Sequence, residues 1–213
     1  MFIPLVDILR CVKPHEETWL VASIERAENR FIIEGTLGCP ICLAEYAIRD
    51  GVLFFSDDRR KPSEIAPSES EAVRLAAALD LTEPRMTAML HGKWGAHAHI
   101  LRGIAPAQLI LINPPVGVAS GDGVSVIVSD AIPLAERSID AVAFDAQRSP
   151  ETRDTSLAGL QRSLRQNGRM LADASLAVPE GLTELARDDD VWVARLHDAP
   201  SMSRPVPLQR RER

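Results

Sequence analysis

The sequence is poor in aromatic residues, with five Phe, three Trp and one Tyr in 213 residues, so any sizeable core must be built from aliphatic side chains. It has no excess of positive charge. Lys and Arg number 24 against 30 Asp and Glu, and the net charge of -6 excludes a tight grip on nucleic-acid backbones, whose affinity comes from clustered cations. Long apolar runs are also missing: the stretch at 107–112 is interrupted by Asn113 and Pro114, whereas a membrane helix needs about 20 apolar residues. No membrane span is expected. The opening Met1-Phe2-Ile3-Pro4 lacks the charged-then-apolar order of a secretory signal, so a cytoplasmic protein is expected. Cysteine is scarce and odd in number, at three, and the spacing Cys39-Pro40-Ile41-Cys42 points in a reducing compartment to metal or redox chemistry rather than to a structural disulfide.

What is present divides the chain. The hydrophobic content of 46% is enough for one ordinary α/β domain and a small satellite. In residues 1–55 the apolar residues come in short bursts: a helical turn at 5–9 and strand-like segments at 18–24, 29–33 and 51–55. So small a unit has little core and needs a staple. Residues 56–70 collect Asp, Arg, Lys, Pro and Ser, a linker composition. Residues 71–197 alternate longer segments, with helices predicted at 69–81, 95–103 and 151–166 and strands at 86–90, 109–112, 124–128, 139–144, 169–172 and 191–196. The third helix is expected to end on a left-handed cap at Asn167-Gly168. Such alternation implies a mainly parallel sheet with helices on its faces. Residues 198–213, rich in Pro and basic at the end, are expected to be a disordered tail.

Cys39 and Cys42 at a two-residue spacing can place both thiolates on one tetrahedral ion, with Pro40 stiffening the turn. Cys11 and His15, with Pro14 between them, supply a second pair. Together they make a three-Cys, one-His set with no position left open for chemistry, so the expected zinc is structural. Its binding is expected to supply much of the folding free energy of residues 1–55, and its removal to leave the larger unit folded. The alternative makes Cys11 a small buried apolar residue and His15 a surface one. A thioredoxin-like site is disfavoured because the pair does not open a helix after a strand.

Leu5-Val6-Asp7-Ile8-Leu9-Arg10-Cys11, Gly38-Cys39-Pro40-Ile41-Cys42 and Tyr46-Ala47-Ile48-Arg49-Asp50-Gly51-Val52 resemble the short zinc-ribbon proteins that activate RNA and protein methyltransferases. In that family the ribbon stabilises a methyltransferase by adding a strand or helix to it, so the resemblance implies a protein partner, either a methyltransferase or the rest of this chain.

Residues 87–168 resemble class I S-adenosylmethionine-dependent methyltransferases in the order of their landmarks. The best match is 126–143, where Asp130 stands at the place that the family gives to the side chain near the adenine amino group. Residues 160–171 resemble the helix and turn before the fifth strand. The resemblance implies an α/β fold in which a small zinc ribbon precedes a trimmed, Rossmann-like methyltransferase domain. The cofactor landmarks depart from the family. Leu90-His91-Gly92-Lys93-Trp94-Gly95 keeps only Gly92 and Gly95 of the glycine-rich turn, His91 stands near the place of an acid, and Trp94 adds bulk. Asn113 replaces the acid that accepts hydrogen bonds from both ribose hydroxyls, and has a single uncharged acceptor oxygen. Residues 114–123 are too short and broken for the helix that joins strands two and three.

Two functions follow from these departures. One is a non-catalytic methyltransferase-like protein acting through protein contact, with S-adenosylmethionine binding lost. It expects Trp94 to be buried near Asn113 and Asp130 and no large pocket at the strand ends. The other is an active methyltransferase, on RNA for instance, with Gly92, Gly95, Asn113 and Asp130 holding the cofactor. A generic parallel α/β domain is the reading without either. Asp140 reads as a strand-start residue, whereas Asp145, at a strand's carboxyl end, is placed to act on a substrate. His91, His97 and His99 read as exposed helix residues, since on a helix His97 and His99 point about 200° apart.

Overall fold

The computed structural model describes residues 1–64, 66–146 and 150–197, and for 150–156 the backbone only. The tail expected at 198–213 lies outside the described residues. Among those described, no helix is long and apolar enough to cross a membrane.

A 3-10 helix at Ile3–Ile8 leads into four strands, β1 (Val21–Glu28), β2 (Phe31–Gly38), β3 (Glu45–Arg49) and β4 (Val52–Phe54), joined as an antiparallel meander. Helix α1 (Glu69–Leu79) follows, then β5 (Thr87–His91), a 3-10 helix at Gly92–His97, α2 (Ala98–Ile104), β6 (Gln108–Ile112), β7 (Val124–Val128), β8 (Ile139–Phe144), α3 (Pro150–Ser163), β9 (Leu164–Asp173), β10 (Leu182–Arg187) and β11 (Val191–Leu196). All eleven strands form one sheet in the order β1-β2-β3-β4-β7-β6-β5-β8-β9-β11-β10. Counted from β5, the parallel part runs 3-2-1-4-5, the order of a doubly wound nucleotide-binding sheet, and an antiparallel hairpin closes it. The fold is thus α/β, with a Rossmann-like run of parallel strands at the centre of the sheet and antiparallel strands at both edges.

Local chemistry explains most of these elements. The Ser68 hydroxyl caps α1 by accepting from the Glu71 N–H at 3.2 Å, Glu69 and Glu71 face the positive end of the helix dipole, and Asp80 ends it in the left-handed conformation at φ 58°. The buried face of α1 carries Ala72, Leu75 and Leu79. Strands β6 and β7 are apolar almost throughout because parallel strands are covered on both faces.

The meander is not a separate body. β4 has only three residues, yet it pairs with β3 on one side and in parallel with β7 on the other, Val52 opposite Val126 and Phe54 opposite Val128. Residues 1–10 cover a face of the sheet where the β7–β8 connection, 129–138, has no helix: Leu9 bridges Leu134, and the Ala135 N–H donates to the Ile8 carbonyl at 2.8 Å. Met1, Leu9, Ile32, Leu37 and Leu53 lie in one buried cluster with Ile110, Ile127, Val142 and Phe144. This shared core bears on the expectation that residues 1–55 unfold on their own, since their inner side chains also belong to the larger unit.

Other expectations also need correction. The helix expected at 95–103 is a 3-10 turn followed by the seven residues of α2. The third helix ends at Ser163, and Asn167, at φ 63°, takes its left-handed conformation inside β9 rather than at a helix cap. Gly168 is needed for approach: a Cβ there would lie 2.9 Å from the Asp140 carbonyl oxygen. β3 and β10 were not among the expected strands, and β10 is exposed along most of its length, without the alternation that marks a strand.

Candidate metal centre and strand-end crevice

Cys11, His15, Cys39 and Cys42 converge. One donor atom from each lies within 4.8 Å of all the others. The Cys39–Cys42 knuckle is built by the Leu43 N–H donating to the Cys39 carbonyl at 3.0 Å and the Cys39 N–H donating to the Ala44 carbonyl at 2.9 Å, with Leu43 left-handed at φ 58°. The Cys42 N–H points at the Cys39 sulfur, 3.5 Å away. The Cys11 N–H donates to the Thr18 carbonyl at 3.4 Å, fixing the start of the opposing turn.

The spacing suits a tetrahedral ion. Thiolates at about 2.3 Å and an imidazole at about 2.0 Å from zinc make tetrahedron edges of about 3.8 Å between sulfurs and about 3.5 Å between sulfur and nitrogen. Cys11 Sγ and Cys42 Sγ are 3.7 Å apart, and Cys39 Sγ and His15 Nε2 are 3.4 Å apart. The His15 Nδ1 pairs with the Glu16 carbonyl at 2.6 Å, which sets that nitrogen as the donor and leaves Nε2 as a lone pair for the metal. Behind Cys11 stands Tyr46, buried against Phe55, with its hydroxyl 3.0 Å from the sulfur. Desolvation pushes the Tyr46 hydroxyl above its ordinary range, so it remains protonated and donates to Cys11. Burial pushes the Cys11 thiol up, but this hydrogen bond and others bring it below its ordinary value. The Ala44 backbone contact lowers Cys42, yet burial and the neighbouring Cys39 and Cys11 leave it raised. Zinc binding requires the thiolate form of its cysteine ligands, which the dication itself favours. The donor set therefore fits a zinc-type ion. Sequence reasoning missed Tyr46 as the supporting hydroxyl, because nothing in its spacing ties it to Cys11.

The second candidate site lies at the carboxyl ends of β5, β6, β7 and β8. A cavity of about 280 Å³ opens there, with His91, Gly92, Asn113, Asp130 and Asp145 in its wall and the linker at 56–64 across it. The expectation is of no large pocket at the strand ends, and this cavity lies just below the roughly 300 to 1,000 Å³ of small-molecule sites. Trp94 is buried as expected but turned away from Asn113 and Asp130: its indole N–H donates to the Phe144 carbonyl at 3.2 Å, and its ring lines a different cavity.

Gly92 is left-handed at φ 58°, and a Cβ on it would fall 2.4 Å from Asp145 Oδ2. The same oxygen accepts the Lys93 N–H at 2.9 Å. The Asp145 carboxylate thus fills the switch point between β5 and β8, where this sheet type usually offers backbone N–H groups to a ligand. Gly95 serves packing as well, since a Cβ there would meet the Pro114 Cβ at 2.6 Å. Asn113, left-handed at φ 49°, donates through Nδ2 to the Ser129 carbonyl at 2.6 Å and accepts at Oδ1 from the Ser129 N–H at 2.9 Å. Its amide links the ends of β6 and β7. Asp130 is exposed beside it. The linker is held over the crevice by the Val116 N–H donating to the Lys61 carbonyl at 2.9 Å, and within it Arg60 is clasped to Asp58 at 2.8 and 2.9 Å.

Asp140 is structural, accepting the Thr87 N–H at 2.7 Å and pairing with Arg165 at 2.9 and 3.1 Å. His91 and His97 are buried, the first stacked on Phe144, which corrects their reading as exposed helix residues; His99 is exposed. Sequence reasoning also missed Lys93 and Asp173. Their ion pair, at 2.5 Å, joins the turn after β5 to the end of β9, and Asp173 also accepts the Ala146 N–H at 2.8 Å.

No family model matches the chain, and no curated protein matches it. Solved structures do. Geranyl diphosphate C-methyltransferase from Streptomyces coelicolor A3(2) is 14% identical, covering 49% of this chain and 43% of its own at a TM-score of 0.41. A geranyl diphosphate methyltransferase in complex with SAM is 16% identical over 49% and 48%, at 0.41. The antibiotic-resistance methyltransferase Kmr is 12% identical over 65% and 98%, at 0.39. The chain spans about half the length or less of the geranyl diphosphate enzymes that it matches. At these TM-scores the likeness says nothing about activity, and the fold rests on the strand order itself.

Proposed function

We propose that this chain is a non-catalytic methyltransferase-like protein, with a structural zinc ribbon built into its own sheet, that acts through protein contact. The observation that carries the reading is Asn113. It stands where the resembled family needs an acid for the ribose, and both ends of its amide are already engaged with the Ser129 backbone. Asp145 supports the same conclusion by filling the turn at Gly92. Zinc in the three-Cys, one-His set holds the ribbon, and the exposed Trp19, Val21, Ile41 and Leu43 near it are apolar surface of the kind that protein partners cover. Three free cysteines suit a reducing, cytoplasmic setting. Calorimetry with S-adenosylmethionine and S-adenosylhomocysteine tests this reading: no saturable binding up to millimolar concentration is expected, and tight binding of either overturns it.

The cavity of about 280 Å³ favours a second reading, an active methyltransferase, since it keeps Gly92, Asn113 and Asp130 around one space. In that pose Asp130 faces the adenine, and an RNA substrate is one candidate. If the cofactor binds, Asp130→Ala must weaken it; unchanged affinity removes this pose.

A further inference from the structure

A second cavity, of about 290 Å³, lies between α1, the 3-10 turn after β5 and the ends of β9 and β11. Its apolar wall is Leu75, Trp94, Leu171 and Val191, all buried. This combination of an aromatic face and aliphatic sides accepts a flat or compact apolar body.

The polar groups around it do not balance. Lys93 is neutralised by Asp173 at 2.5 Å, and Arg74 pairs with Asp188 outside the cavity and with Glu71 at 3.7 Å. The Asp190 carboxylate has no ion-pair partner among the described residues. The charged residues lining the space are Glu71, Asp173 and Asp190 against Arg74 and Lys93, which leaves one negative charge uncompensated.

His97 supplies the second observation. Its ring lines the cavity with 3% of the residue exposed, and Nδ1 has no hydrogen-bond partner among the described residues. Burial holds the ring's pKa below its ordinary value, more than the charge of Glu71 and the Ser68 backbone raise it. In the neutral ring with its proton on Nε2, Nδ1 is a bare acceptor. A buried acceptor without a donor is costly to leave unmatched, so the chemistry that it lacks is an N–H or O–H group.

We propose that this cavity is a binding site for a small organic amine with an apolar body, its ammonium group drawn by Asp190 and Glu71 and its N–H bonds matched to His97. The apolar part lies against Trp94 and Leu75. Lys93 lines both this cavity and the strand-end crevice, and Asp173 lines this one; the proposal stands whether or not that crevice binds S-adenosylmethionine.

The test uses 2-phenylethylamine on the full chain, with 3-phenylpropionate as an anion of similar size, read by the indole N–H resonance of Trp94 in two-dimensional NMR and assigned with Trp94→Phe. The amine is expected to shift that resonance saturably, the anion not to do so. Asp190→Asn, at an exposed position that leaves the core intact, is expected to weaken the amine about three- to fivefold, as loss of one partly solvated charge contact does. Glu71→Gln is expected to act in the same direction. No shift with the amine, an equal response to the anion, or an unchanged midpoint in both variants overturns the proposal. S-adenosylmethionine binding read by calorimetry in the same samples is a separate outcome and does not bear on it.

Discussion

The four-strand meander and the parallel strands belong to one sheet but are held by different physics. β1 is exposed over nearly its whole length, whereas β6 and β7 are almost entirely buried. The meander compensates with a cluster of four metal donors and by lending its inner residues, Ile32, Leu37 and Leu53, to the core of its neighbour. A thin unit thus carries a donor set that a zinc-type ion fits, and shares a core with its neighbour.

The largest expected effect breaks the outer end of that comparison. Cys39→Ser removes a buried ligand, and the purified variant should lose its zinc by elemental analysis. Structural zinc contributes roughly 10 kcal/mol or more to small ribbon folds, so hydrogen exchange should show protection lost first in β1 to β3. Because the core is shared, the loss should then spread to β4 and β7. Full retention of β7 protection after chelation would show that the two regions are energetically separate after all.

Next come the inner contacts. Leu53→Ala in β4 and Leu111→Ala in β6 both remove fully buried side chains and should each cost about 2 to 5 kcal/mol in urea unfolding. Trp19→Ala, at 67% exposed, should change stability by no more than about 0.5 kcal/mol. If Leu53→Ala proves as mild as Trp19→Ala, the meander is docked rather than integrated.

Asn113→Ala sharpens the picture at the crevice. It deletes two hydrogen bonds that join β6 and β7 and should cost about 1 to 3 kcal/mol. A variant that folds as stably as the parent but loses nucleoside affinity would return Asn113 to the role of ligand.

The smallest effect is a pH dependence. Desolvation holds the His97 pKa below its ordinary value of 6.5, only partly offset by the charge of Glu71 and the Ser68 contact. Protons then bind the unfolded chain more readily. The contribution of neutral His97 is fully present above about pH 6.5 and is lost as the pH falls toward its lowered folded value. Melting temperature should drop between pH 7.5 and 5.5, and His97→Gln should flatten that part of the curve. A parent whose stability rises over the same interval would contradict the sign.

Much of this was readable from the sequence because it is local. Cys39-Pro40-Ile41-Cys42 declares its knuckle by spacing, α1 declares its face by periodicity and its start by Ser68, and β6, β7 and β8 appear as short continuous apolar runs. The order of landmarks around Asp130 carried the expectation of a Rossmann-like sheet, which the strand order shows. Exposed β10 escaped because its residues show no alternation, and the helix after β5 was misjudged because Gly92 and Gly95 were weighed as cofactor glycines rather than as points of close approach.

What only the tertiary structure decided depends on pairs far apart in the chain. The meeting of Cys11 and His15 with Cys39 and Cys42 is one. The addition of β4 to β7, across some seventy residues, is another. The burial of His97, the turning of Trp94 toward Phe144 and the filling of Gly92's surroundings by Asp145 are of the same kind. A sequence pattern fixes which face of an element is apolar, because that depends on a period of two or 3.6 residues. It does not fix which distant side chain arrives to fill a given space, because that choice is made by packing the whole sheet at once.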